Sequence, residues 1–215
     1  MKACIFDLDG TLTDTLESLT YSVAETLKEM GLNPITPEEC RSFVGNGARV
    51  LMEKALKAAG DTGGGRLDVG MEIYGRIFDA NCTYHVTPYE GIRGMLKELK
   101  KRGIRLGVLS NKPHRQTVKV VREIFGEDVF DRVQGQQEGI ARKPDPEGVY
   151  CLMKALEASK EECLYVGDSE VDIRTGRNAK VRTIGVSWGF RSREVLESVG
   201  AEAIIDAPGE LLKFI

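Results

Sequence analysis

Near its start the chain reads Cys4-Ile5-Phe6-Asp7-Leu8-Asp9-Gly10-Thr11. The apolar run Cys4 to Phe6 is a short strand that stops at Asp7. Gly10 and Thr11 then turn the chain. From Asp14 the pattern becomes helical, with Leu16, Leu19, Val23, Leu27 and Met30 recurring three or four residues apart. Asp14 stands where a capping residue starts a helix, and Gly31 where one ends. A strand that passes through a turn into a helix, with two carboxylates at the junction, begins an α/β chain.

About 70 helical residues follow. Thr36-Pro37-Glu38-Glu39 combines a cap residue, a proline at the first helical position and an acid at the third. That helix runs into Phe43-Val44-Gly45-Asn46-Gly47, a loop that needs glycine backbone freedom. A third helix carries Val50, Leu51, Ala55 and Leu56 and ends at Gly60. Asp61 to Gly65 is a connector, and a fourth helix over about 66–81 carries Leu67, Met71, Tyr74 and Phe78. No strand is expected in this stretch. From Pro88 the elements alternate: helix 90–101, strand 104–109, helix 113–125, a weak strand 132–134, helix 146–157, strand 163–166, helix 170–178, strand 182–186, helix 192–199, strand 203–205 and a short helix after Pro208. Such alternation predicts a parallel sheet covered on both faces. The expected architecture is an α/β core of residues 1–13 and 84–215, with a helical insert of residues 14–83.

The 215 residues suit one domain of ordinary size carrying an insert, and a hydrophobic share of 41% is enough to bury a core. Thirty basic against thirty-three acidic residues leave a net charge of −3, so nucleic acid is not the expected partner. The five cysteines, Cys4, Cys40, Cys82, Cys151 and Cys163, form no close pair, and their odd number speaks against a disulfide framework. A reducing, cytoplasmic location follows. No apolar run reaches the ~20 residues of a membrane span, and the N-terminus lacks a signal peptide's apolar stretch. Monomer and homodimer both stay open.

In an open parallel sheet, ligands gather at the carboxyl ends of the strands. Asp7 and Asp9 follow the first strand, Ser110 and Asn111 the strand at 104–109, and Asp168, Ser169 and Asp172 the strand at 163–166. Carboxylates crowded in this way repel one another unless a cation joins them. Oxygen donors without nearby His or Cys suit Mg²⁺, which commonly pairs with substrate phosphate. A strand-end Asp can then attack phosphorus, and a second Asp two residues on can protonate the leaving oxygen. Lys143, in Ala141-Arg142-Lys143-Pro144-Asp145-Pro146, supplies a fixed positive charge beside two prolines.

Asp7-Leu8-Asp9-Gly10-Thr11-Leu12-Thr13-Asp14, Ser110-Asn111, Lys143 and Gly167-Asp168 through Asp172 resemble, in order, the four motifs of haloacid dehalogenase (HAD) superfamily phosphatases. The resemblance implies a Rossmann-like core with a helical cap. It implies that Asp7 is the nucleophile and Asp9 the acid/base. Ser110, Asn111 and Lys143 would then hold the phosphoryl group. Mg²⁺ would be held by Asp7, the Asp9 backbone carbonyl and Asp168, with Asp172 ligating through water or orienting the site. Val44 to Leu51, Thr87 to Gly91, Asn111-Lys112-Pro113 and Gly185 to Phe190 look like the phosphoglycolate phosphatase branch. Its cap would place Gly45, Asn46 and Arg49 near a small phosphorylated metabolite. The presence of Asp9 disfavours halide release, because the dehalogenases of the family lack it.

Other readings compete residue by residue. Asp172, at a helix start, also suits an N-terminal cap. Gly45-Asn46-Gly47 also suits a bare turn, and Arg49 a solvated helix charge. His85 and His114 read as surface histidines, and Trp188 and Phe190 as packing at the core edge. Gly63-Gly64-Gly65 lacks the Gly-Lys-Ser/Thr of a phosphate loop and reads as linker. A phosphate-accepting receiver domain is opposed by the helical insert and by Asp9. A pyrophosphatase, or a phosphosugar phosphatase or mutase, remains open within the resemblance.

Overall fold

A computed structural model describes residues 1–215 except positions 62 and 64, so the expected connector 61–65 lies partly outside the described residues. The chain runs through β1 (Ala3–Phe6), β2 (Thr13–Asp14), α1 (Leu16–Glu29), α2 (Pro37–Phe43), α3 (Ala48–Ala58), α4 (Leu67–Asn81) and β3 (Thr87–Pro88). It continues as α5 (Ile92–Lys101), β4 (Arg105–Pro113), α6 (His114–Phe125), β5 (Arg132–Gln136), α7 (Glu147–Ala155), β6 (Cys163–Gly167), α8 (Glu170–Ala179), β7 (Arg182–Val186), α9 (Arg193–Ser198) and β8 (Ala203–Ile205). Six strands form one sheet in the order β5-β4-β1-β6-β7-β8, with every pairing parallel.

β1 has helices over both faces. Cys4 and Phe6 enter one apolar cluster and Ala3 and Ile5 the other, so the strand is apolar at every position rather than at alternate ones. In α5, Ile92, Met95, Leu96 and Leu99 are buried while Lys97, Lys100 and Lys101 face outward, the division that its periodicity predicts. The insert packs α1 and α3 on α4, and its apolar side chains join the cluster on one face of the sheet. The chain leaves β1 for β4 on one side and later returns to β6 on the other. The crevice at the carboxyl end of β1 is therefore a topological switch point, where such sheets bind ligands.

Three expectations need correction, and a fourth, the short helix after Pro208, is borne out and sharpened. A strand does enter the insert: Thr13 pairs with Pro88 and Asp14 with Thr87 in an antiparallel ribbon that joins the insert's two ends. A two-residue pairing leaves no periodicity in a sequence. β4 continues past residue 109 to Pro113, which pairs with Gln136 after an irregularity in register. Ser110-Asn111-Lys112 looks like loop by composition, yet all three residues are buried. The N-cap of α1 is Thr15, although Asp14 Oδ1 still accepts the Leu16 N–H at 3.1 Å. The last helical segment, Pro208–Phe214, is a 3₁₀ helix. Among the described residues, no helix is long and apolar enough to cross a membrane, and the five cysteines are free thiols.

Candidate active site

The turn after β1 is closed by one carbonyl. Leu8 O accepts the N–H groups of Thr11, Leu12 and Thr13 at 3.3, 3.0 and 3.0 Å. Gly10 has φ of 90°, and a Cβ there would lie 2.4 Å from Asp168 Oδ2. Only glycine meets both demands. Asp168, at the end of β6, therefore sits directly against the β1 turn. Thr11 Oγ1 donates to Asp168 Oδ1 at 3.0 Å and Phe190 N–H to Oδ2 at 2.8 Å. Trp188 Nε1 donates to Thr11 O at 3.0 Å, so the segment after β7 braces the same turn instead of merely packing the core edge.

Lys143 lies at the centre of the site. Its Nζ is 2.8 Å from Asp7 Oδ1 and 2.8 Å from Asp172 Oδ1. Its backbone is fixed by Asn111, whose amide accepts Lys143 N–H at 3.0 Å and donates to Lys143 O at 3.1 Å. Asp172 is held on all sides. Tyr165 OH donates to Oδ1 at 2.9 Å, and Ser169 N–H and Oγ donate to Oδ2 at 3.1 and 2.5 Å. Ser169 and Asp172 also form the capping box of α8. The capping reading and the site reading of Asp172 thus describe one arrangement.

Asp7, Asp168 and Asp172 each offer an oxygen within 4.8 Å of the others, and all three are buried. Burial and then the Asp172 charge raise Asp7 well above the usual carboxylate range, although Lys143 partly opposes them. The same two causes push Asp168 up to about 7. Burial by itself would lower Lys143, but Asp172 and Asp7 outweigh it and hold the ammonium well above its ordinary value. One lysine against three buried carboxylates leaves excess negative charge, which a divalent cation relieves. An all-oxygen donor set with no His or Cys fits a hard cation such as Mg²⁺.

The structure gathers Asp7, Asp9, Gly45, Ser110, Asn111 and Lys143 around one cavity. The Asp9 carboxylate lies outside the three-carboxylate group and pairs with Lys112 Nζ at 2.6 Å. Asn46 and Arg49 do not line the cavity. Asn46 O accepts from Arg142 at 3.3 Å, and Arg49 is exposed and paired with Asp68 at 2.9 Å, the solvated alternative considered for it. His114 Nδ1 accepts the Gly135 N–H at 3.2 Å, which ties α6 to β5. His85 is exposed beside Glu17 at 2.6 Å. Sequence reasoning missed Lys112 and Tyr165. Lys112 follows Ser110-Asn111 in a polar segment that reads as loop, and Tyr165 lies within the apolar run of β6. Thr11 counted only as a turn residue.

Residues 4–186 match the family model described as haloacid dehalogenase-like hydrolase. The phosphoglycolate phosphatase of Aquifex aeolicus strain VF5 is 30% identical over 215 residues, covering 100% of this chain and 97% of its own length. That of Rhodospirillum rubrum is 35% identical over 213 residues, covering 95% of this chain and 87% of its own. The crystal structure of a predicted phosphoglycolate phosphatase from Haemophilus somnus 129pt matches with a TM-score of 0.92 at 26% identity, covering 100% of this chain and 97% of that one. By fold, by motif order and by these similarities, the chain belongs to the haloacid dehalogenase-like hydrolases.

Proposed function

We propose that the chain is a Mg²⁺-dependent phosphatase acting on a small phosphomonoester, phosphoglycolate, through an aspartyl-phosphate on Asp7. The observation that carries this reading is Lys143, poised 2.8 Å from both Asp7 and Asp172 in a buried group of carboxylates. Asp7 attacks phosphorus as the ester P–O bond breaks, and Asp9 passes a proton to the departing oxygen. Asp9 then takes a proton from water, whose oxygen attacks the acyl-phosphate, releasing phosphate and restoring Asp7. Lys143 and Ser110 hold the phosphoryl oxygens, the Asn111 amide fixes the Lys143 backbone, and Asp172 aims Lys143. Asp7, Asp168 and the Asp9 backbone carbonyl would hold Mg²⁺, which supplies charge neutralisation at the phosphoryl group when bound.

Residues 14–83 act as a cap that keeps bulk water from the reacting group. Among the described residues, the cap lines the cavity with Leu19, Val44, Ala48, Leu51 and Phe78, and Tyr74 is its one polar side chain there. Such a wall offers few partners to sugar hydroxyls, which favours a small leaving group over a phosphosugar. The names of the relatives point the same way. The free thiols fit a cytoplasmic setting.

The test is phosphate release from a panel of esters, with Mg²⁺ and with chelator, by the wild type and by Asp7→Asn. The expected result is Mg²⁺-dependent turnover, greatest with phosphoglycolate and abolished in the folded mutant. Equal turnover by Asp7→Asn, or turnover indifferent to chelation, would overturn the reading.

A further inference from the structure

Two cations line the cavity among the described residues, Lys143 and Lys112. Lys143 pairs with Asp7 and Asp172 and, on the proposed reading, serves the phosphoryl group. Lys112 is buried, with 5% of its surface exposed. Its ammonium lies 2.6 Å from Asp9 Oδ1 and 5.1 Å from the centre of the Phe78 ring. An ammonium has three donors, and among the described residues Asp9 is its single carboxylate partner. Burying a lysine is unfavourable unless its charge is fully used. The apolar side chains that the cap presents to the cavity can offer no counter-charge to an anionic leaving group.

We propose that Lys112 selects the substrate by binding a carboxylate on the leaving group, so that the site takes phosphorylated short hydroxy acids. This rests on the phosphatase reading and assigns its preference for phosphoglycolate to one side chain. In the two-carbon ester, a single methylene separates the carboxylate carbon from the bridging oxygen. A carboxylate that shares the Lys112 ammonium with Asp9 therefore places that oxygen beside Asp9, the group that protonates it. Longer acids lose this alignment, and esters without a carboxylate never have it. Phe78 from α4 closes over the ammonium, so the recognition is complete when the cap is seated.

The probes are 2-phosphoglycolate, the phosphate ester of 3-hydroxypropionate and ethyl phosphate, the last having the two-carbon skeleton without the carboxylate. Wild-type kcat/KM is expected to fall in that order. Lys112→Met is expected to lose ~10–100-fold in kcat/KM toward phosphoglycolate, mostly through KM, as for loss of one charge-assisted hydrogen bond. Its loss toward ethyl phosphate should be much smaller, so the preference collapses. Lys112→Arg should retain part of it. The same factor lost on both esters would overturn the proposal, because Lys112 would then serve only to hold Asp9. The wild-type series decides the matter even where a variant fails to fold: turnover of all three esters without preference overturns the proposal and leaves a phosphatase. No phosphate released from any ester would instead sink the phosphatase reading itself.

Discussion

A methyl group at Gly10 would meet two obstacles. The backbone has φ of 90°, where an L side chain is strained, and the new carbon would stand 2.4 Å from Asp168 Oδ2. The strain alone costs ~1–2 kcal/mol, and the clash pushes Asp168 from the Asp7 group. Gly10→Ala is therefore expected to melt several degrees lower and to lose at least about a hundredfold in kcat, measured by calorimetry and phosphate release. A melting point and kcat equal to wild type would refute the account of this turn. Tyr165→Phe is a finer probe, because its hydroxyl donates to Asp172 Oδ1 at 2.9 Å. One lost hydrogen bond predicts ~1 kcal/mol of stability and, through a looser Lys143, roughly a tenfold drop in kcat. An unchanged kcat would detach Tyr165 from the site. The acidic residues are legible because carboxylates crowded at strand ends have few other uses, and Lys143 because prolines fix it just before a helix. Tyr165 is not, since a hydroxyl in an apolar strand leaves no mark until the fold brings Asp172 under it.

At the scale of elements, the end of α2 meets the core through carbonyl oxygens. Arg191 donates to Arg41 O at 2.9 Å and Val44 O at 2.7 Å while paired with Glu170 at 2.9 Å. Asn111 donates to Gly45 O at 3.0 Å and Arg142 to Asn46 O at 3.3 Å. A helix C-terminus exposes unpaired carbonyls and attracts cations. Arg191 is adjacent to Phe190, whose N–H binds Asp168. The clasp on the insert is thus continuous with the carboxylate site. Arg191→Ala should speed hydrogen exchange across residues 41–47 and raise KM severalfold, with the sheet amides unaffected. Exchange unchanged over 41–47 would deny the clasp. No sequence pattern announces such bonds, because their acceptors are backbone. The elements themselves were legible where apolar spacing was strong, as in α1, α5 and β6. The β2–β3 ribbon and the polar end of β4 were not, since pairing rather than composition defines them.

At the scale of the whole molecule, the parallel alternation and the insert after β1 were readable from period alone. The strand order was not, because it depends on which side of β1 each crossover takes. That order gathers three buried carboxylates around one lysine, and stability without a cation must then depend on pH. Asp168 has its pKa raised to about 7, and Asp7 is raised as well, whereas in an unfolded chain both titrate near ~4. Between those values the folded state keeps protons that the unfolded state has released, so folding weakens as pH rises. The raised Lys143 acts only at alkaline pH, where its stabilising charge is lost. Exposed acids such as Asp206, held low by Ser187 and Arg193, work in the opposite sense but are fully ionised in both states by about pH 5. The window is therefore pH 5 to 7, over which the metal-free protein is expected to melt at progressively lower temperature. On the proposed reading Mg²⁺ takes the ionised site, so the stabilisation it supplies is expected to grow across the same window. At pH 7 and about a hundred times its Kd it amounts to ~2.7 kcal/mol, or roughly 5–10 °C for a chain of this size. Melting curves at pH 5, 6 and 7, with chelator and with Mg²⁺, measure both slopes. A metal-free melting point that rises toward pH 7, or a Mg²⁺ shift that shrinks, would mean that the three carboxylates do not repel one another in the folded chain.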